Sequence, residues 1–299
     1  MSEQNPEEMK PEALAKTKNK LTALNRYPVK SFAGESLSVA KILKTGIIYD
    51  RHWMMVDENA VFMSQRKFPK MALLKASVQT SKQDHEQFTI DIPEQQTIDI
   101  ELNSRLSSEA EKLMDVSVWK DFVTARTMSV KCNDHLSKYM EKPVSLVEMS
   151  EQHPRAISDE AAEGIVSFAD AFPFLLIGSA SLTHLNKQLS DDNKVNMDNF
   201  RPNFVVETEL AHEEDRWDVI KIGEVTFKNV KLCSRCILTT INPQTSALNK
   251  QQEPLTSLAT YRVIDGKIMF GCNLIALNEG RVSVDDVIEI VSYKDQNTD

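Results

Sequence analysis

Lys231–Thr245 reads KLCSRCILTTINPQT, and it holds two of the chain's four cysteines, Cys233 and Cys236, spaced as CxxC. Such a pair ordinarily suggests zinc, a disulfide or a thioredoxin-type redox couple. A structural zinc site needs four Cys or His ligands, delivered as two close pairs. The other cysteines, Cys132 and Cys272, stand alone, no HxxxH accompanies them, and the six histidines are scattered, so none is assigned as a ligand. A thioredoxin motif opens a helix after a strand, whereas KNVKL and ILTTI on either side are β-branched and apolar, which places the pair at a strand end or turn. One thiolate acting as a soft ligand, or as a nucleophile, remains, with Arg235 as the neighbouring cation that favours it.

Working outward, the rest of the chain reads as strands with few long helices. SLSVAKILKT and HWMMVDENAVFMS are strand-like, the latter turning at Asp57-Glu58-Asn59, and FTIDIP and TIDIEL alternate as half-buried strands do. A short helix, HLSKYMEK, is expected with Asn133 or Asp134 as its cap, followed by the strand PVSLVEM. SFADAFPFLLIG is an apolar strand-like run, and a helix capped by Ser179 or Ser181 carries Leu182, Leu185 and Leu189 at helical spacing. NFRPNFVV, WDVIKIGEVTFKNVKL and VIEIVSY complete the strands. The fold class is α+β and β-dominated, with boundaries at a mobile tail 1–20, a first domain 21–149, a polar linker 150–164, a second domain 165–293 and a tail 294–299.

At 299 residues, 41% apolar and 26% charged, the chain is an ordinary globular protein large enough to need no disulfide staples. Four scattered cysteines fit a reducing, cytoplasmic setting. No run of 18 apolar residues or signal-type apolar segment appears, so no membrane partner is expected. A net charge of −9 argues against a nucleic-acid partner. None of the eight glycines forms a dinucleotide or P-loop motif.

Four clusters could serve Cys236: Lys30-Ser31 at the end of YPVKS, Arg51 in DRHWM, Asp170 in FADAFP, and Arg201 and Asn203 in NFRPN. Lys30, Arg51 and Arg201 together could hold a phosphate dianion, each charge-assisted bond contributing about 1.5–3 kcal/mol. Singly, each has an ordinary reading: a solvated lysine, a surface ion pair, a turn-capping aspartate, a loop arginine.

Taken in order, YPVKS, DRHWM, SQR, FADAFP, NFRPN, EDRWD, CSRCILTTINPQT, EPLTSLATYR and FGCNLIALNEG resemble the MOSC family over roughly residues 21–291, in the branch that carries an N-terminal MOSC β-barrel domain and includes the mitochondrial amidoxime-reducing component. The resemblance implies two β-barrel-like parts with a cleft between them for the molybdenum cofactor (Mo-molybdopterin). It implies Cys236 as catalytic residue and molybdenum ligand, with Cys233 either structural or supporting that ligand without touching the metal. It further implies Lys30, Ser31, Arg51, Arg201 and Asn203 at the pterin phosphate and ring, and Asp170 close by. The implied activity is reduction of small N-hydroxylated compounds (hydroxylamines, amidoximes, N-hydroxylated base analogues). Electrons would come from a separate donor such as a ferredoxin, a flavoprotein reductase or a cytochrome b5-like protein. Persulfide transfer through Cys236, or cofactor carriage without turnover, are the alternatives the same residues allow. Ala171 and Phe172 depart from the family's small hydroxyl residues at those positions, so they are not assigned to the site. The iron–sulfur domain and membrane anchor of some relatives are not expected here.

Overall fold

A computed structural model describes residues 19–80, 85–102, 112–150, 155–157 and 159–295; the expected tails lie largely outside these. The fold is β-dominated, with three α-helices among the described residues. Its largest sheet runs, neighbour to neighbour, Glu35–Leu37, Leu21–Arg26, Phe204–Val206, Phe174–Gly178, Lys267–Ala276, Val225–Ser234, Trp217–Ile222 and Ile288–Tyr293, with Val263–Ile264 paired beside Lys267–Ala276. The N-terminal strand Leu21–Arg26 therefore hydrogen-bonds into the sheet of the C-terminal half, antiparallel to Phe204–Val206. Phe174–Gly178 pairs parallel with Phe204–Val206, and the helix Ser179–Gln188 supplies the crossover that a parallel pair requires.

A second sheet joins Trp53–Asp57, Val144–Met149, Asp121–Thr127 and Leu113–Val118, and a third joins Lys75–Thr80, Glu86–Asp91 and Ile98–Glu101. Two large cores stand out, a mainly C-terminal one that also takes in Leu21, Leu24, Ala40, Ile42 and Ile47, and an N-terminal one. Phe174, Phe204 and Phe227 pack at ring centroids of 5.2–5.5 Å in the C-terminal one. Trp53 stacks on Phe88 at 4.0 Å in the N-terminal one. Phe204 is 0% exposed at the centre of its trio, so Phe204→Ala is expected to destabilise the fold by about 3–5 kcal/mol, read as a lowered urea midpoint at unchanged slope.

Three local expectations need correcting. The helix expected at HLSKYMEK runs Val130–Met140; Ser129, not Asn133 or Asp134, caps it by accepting from the Cys132 amide. The helix Ser179–Gln188 has Gly178 at its N-cap, and neither Ser179 nor Ser181 caps it. Instead the buried Glu214 carboxylate accepts from the Gly178 amide (3.0 Å) and the Ser181 hydroxyl (2.7 Å), a long-range contact that local patterning does not contain. SFADAFPFLLIG is a strand only over Phe174–Gly178, with Asp170 in the preceding loop, because Pro173 interrupts the run.

Candidate active site

The CxxC lies where strand gives way to turn. Cys233 is next to last in Val225–Ser234, whose pairing with Lys267–Ala276 shifts register between Leu232 and Ser234. Such irregularities re-aim side chains. Cys236 follows as the N-cap of a single 3-10 turn, Ile237–Thr240. Both thiols are free, part-exposed, and face one cavity of about 990 Å³.

All seven sequence-derived residues, Lys30, Ser31, Arg51, Asp170, Arg201, Asn203 and Cys236, line this cavity. Its wall carries nine lysines and arginines against three aspartates, in a chain whose net charge is −9. Three of the seven, Ser31 (φ 67°), Arg51 (φ 47°) and Arg201 (φ 59°), hold left-handed backbone. That conformation costs a non-glycine residue on the order of 1 kcal/mol or more and concentrates at functional sites.

Arg51 and Arg201 share one aromatic platform, their guanidinium carbons standing 4.2 and 4.3 Å from the Tyr27 ring centroid. Arg51 pairs with the buried Asp50 and donates to Asn203 Oδ1 (3.2 Å) and the Arg201 carbonyl (3.3 Å). Arg201 donates to the Phe32 carbonyl at 2.5 Å. Burial and the Arg51 charge lower the Arg201 pKa to about 10, so it stays cationic at neutral pH. Asn203 is buried, with Nδ2 donating to the Asn25 carbonyl (3.2 Å) and Oδ1 accepting from Arg51 and the Leu175 amide, which ties Arg51 to the sheet. Gly34 is needed beneath the platform, since a Cβ there would stand 2.4 Å from the Tyr27 ring.

Lys30 pairs with Asp170 and donates to the Phe168 carbonyl at 2.7 Å. Burial lowers the Lys30 pKa while Asp170 opposes the shift. For Asp170, desolvation would raise the pKa, but Lys30, Arg66 and the Trp119 indole outweigh it and hold the carboxyl well below the usual range. A carboxylate held low stabilises the fold above its unfolded-state pKa of about 3.9, and that contribution is lost as pH falls through the lower folded-state value. Wild-type stability should therefore fall more steeply below about pH 4 than that of Asp170→Asn; parallel acid titrations by circular dichroism would contradict this.

Several cavity residues escaped the sequence reading. Arg66 donates from Nε to Cys236 Sγ (3.2 Å) and from Nη2 to Asp170 (3.1 Å), and stacks 4.4 Å from the Trp119 ring. The SQR triplet contained it, but nothing local showed that it faces the thiol. Trp119 donates from Nε1 to Asp170 (3.2 Å) and packs on Phe62 at 4.7 Å. Arg155, in the expected linker, is 3% exposed, pairs with Asp121 (2.6 Å) and donates to the carbonyls of Ser167 and Ala169. Arg235, the cation that the sequence placed beside the reactive thiol, instead donates to Cys233 Sγ at 3.1 Å, while Arg66 serves Cys236, so each thiol has its own guanidinium.

The MOSC N-terminal beta barrel domain matches residues 18–143 and the MOSC domain residues 163–289. Mitochondrial amidoxime-reducing component 1 of Danio rerio is 32% identical over 262 residues, covering 83% of this chain and 76% of the relative. The human protein of that name is 28% identical, covering 89% and 81%. Molybdenum cofactor sulfurase of Arabidopsis thaliana is 28% identical over 84% of this chain, which spans only 32% of that longer relative. The YUAD protein of Bacillus subtilis superimposes with a TM-score of 0.41 at 11% identity, covering 91% of this chain and 94% of that one, too distant to bear on the site. The chain belongs to the MOSC family, and its relatives include proteins named as amidoxime-reducing components and as molybdenum cofactor sulfurases. No helix among the described residues is long and apolar enough to cross a membrane.

Proposed function

We propose that this chain is a molybdenum-cofactor-dependent reductase of N-hydroxylated compounds that draws electrons from a separate donor protein. The observation that carries the reading is one cavity holding both the Arg51–Arg201 pair stacked on Tyr27 and the Cys236 thiol. The donor set fits the cofactor. Two like-charged guanidinium groups sharing a ring repel each other, and a phosphate dianion relieves that repulsion with charge-assisted bonds. A thiolate is a suitable soft ligand for a metal already held by dithiolene sulfurs. Arg51, Arg201, Lys30 and Ser31 would hold the phosphate and pterin, and Cys236 the metal.

The bound cofactor supplies the two-electron removal of the N–OH oxygen, with protons consumed and water released. The chain's own residues supply the rest. Arg66 fixes the Cys236 side chain and presents a positive charge to its sulfur. Asp170, held ionised, locks Arg66 and Lys30 in place. Trp119 and Phe62 form an aromatic wall suited to a planar substrate.

Trp119 has φ 57° at the first position of the two-residue turn between Leu113–Val118 and Asp121–Thr127, a position that favours glycine. Trp119→Gly should therefore leave the turn intact while raising KM for planar aromatic N-hydroxylated substrates roughly tenfold, the scale of one stacking contact. KM for hydroxylamine itself should change little. Equal losses for both substrates would remove the wall assignment. The activity is tested with cofactor-loaded protein, an artificial low-potential reductant and a benzamidoxime-type substrate. Turnover is expected; none at near-stoichiometric molybdenum would contradict the reductase reading.

A further inference from the structure

Among the described residues, seven buried side-chain nitrogen and oxygen atoms have no hydrogen-bond partner, and four of them belong to His212 (both ring nitrogens), Glu214 (Oε2) and Asn229 (Oδ1). Glu214 is 0% exposed. Its Oε1 is fixed by the Gly178 amide and Ser181 hydroxyl, which leaves Oε2 alone. Asp215 gives Oδ2 to Arg262 at 2.7 Å and turns Oδ1 toward Cys272 Sγ at 3.8 Å. Asn229 bridges the Glu214 and Trp217 carbonyls through Nδ2. One donor atom from each of His212, Glu214 and Asp215 lies within 4.8 Å of the others.

A buried polar atom without a partner costs about 1–3 kcal/mol, so several in one place imply an occupant. Water is one candidate. Acceptor chemistry favours another: Arg262 and Lys294 both act on Asp215, but Glu214 Oε2 and a His212 ring nitrogen are acceptors left without any donor. An imidazole nitrogen with two carboxylate oxygens is a donor set for borderline divalent cations, with metal–ligand bonds of about 2.0–2.2 Å. Tetrahedral bonds of that length hold donors about 3.3–3.6 Å apart, so atoms now within 4.8 Å of one another would close on the ion by small side-chain rotations.

The geometry points to a binding site for one divalent cation of the zinc class at His212, Glu214 and Asp215, with Cys272 as the nearest further donor. None of these residues lines the Cys236 cavity, so the site is separate from the proposed chemistry. Through Glu214 the ion would tie the Glu213–Arg216 turn to the helix Ser179–Gln188. His212–Asp215 reads HEED in the sequence; folding buries its third residue, Glu214, and turns that carboxylate toward its neighbours.

The test uses the full chain with Cys233→Ala and Cys236→Ala, which removes the cavity thiols as competing ligands. After dialysis against zinc and then buffer, elemental analysis should give about one zinc per chain, and His212→Ala or Glu214→Gln should weaken zinc binding at least tenfold. No zinc in the folded double variant would overturn the proposal and assign the orphaned atoms to water. Undiminished zinc in both His212→Ala and Glu214→Gln would also overturn it. Should either variant fail to fold, cobalt added to the double variant reads the same site: intense visible bands of a four- or five-coordinate ion support it, and the weak spectrum of hydrated cobalt contradicts it.

Discussion

Cys236→Ser is expected to abolish reduction of N-hydroxylated substrates, lowering kcat by more than about a hundredfold, while the protein remains folded. Substituting residues that merely support a metal ligand typically costs 10–100-fold, so loss of the ligand itself should cost more. Serine presents a harder oxygen that does not replace thiolate. The fold should tolerate the change, because Cys236 is part-exposed at a turn, belongs to none of the hydrophobic cores, and receives its side-chain hydrogen bond from Arg66. Circular dichroism and thermal unfolding should match wild type to within about 1 kcal/mol. Full activity with molybdenum bound would remove Cys236 from the mechanism. Arg66→Ala provides an intermediate test, since it leaves the thiol but frees its orientation, and a loss of about 10–100-fold is expected.

Arg201→Ala and Arg51→Ala are expected to act at a different stage, on capture of the cofactor. Each guanidinium would contribute about 1.5–3 kcal/mol to phosphate binding, so each variant should bind the cofactor about ten- to a hundredfold more weakly. The two are not equivalent. Arg201 also donates to the Phe32 carbonyl, while Arg51 anchors to Asp50, Asn203 and the Arg201 carbonyl, so Arg51→Ala disturbs more of the surrounding network. Arg201→Lys keeps the charge but loses the bidentate fork and part of the stacking on Tyr27, and should recover only part of the occupancy. Normal cofactor content in both alanine variants would contradict the phosphate role.

The sequence made the β-dominated fold legible through alternation and through the motif order from YPVKS to FGCNLIALNEG, and the matched domains at 18–143 and 163–289 agree with it. The cavity residues were legible where unusual chemistry sat in a compact motif, as in CSRC and NFRPN. Arg66, Trp119 and Arg155 were not, because their importance comes from where distant segments meet. Arg66 reaches Cys236 across 170 positions of sequence, and Trp119 is an exposed turn residue whose only unusual trait, positive φ, exists in the fold alone. The same limit explains the helix caps: Ser129 was adjacent to alternatives of equal local merit, and Glu214 caps from 36 positions away. The strand Leu21–Arg26, whose partner is Phe204–Val206, shows that alternation identifies a strand without naming its neighbour.

The measurement that bears most directly on the central claim is molybdenum per chain, by elemental analysis, in wild-type protein and in Arg201→Ala, both expressed in a host that makes the cofactor. The account predicts near-stoichiometric molybdenum in wild type and a marked loss in Arg201→Ala. No molybdenum in wild type, while a control molybdoprotein from the same host is fully loaded, would contradict it and turn attention to persulfide chemistry at Cys236.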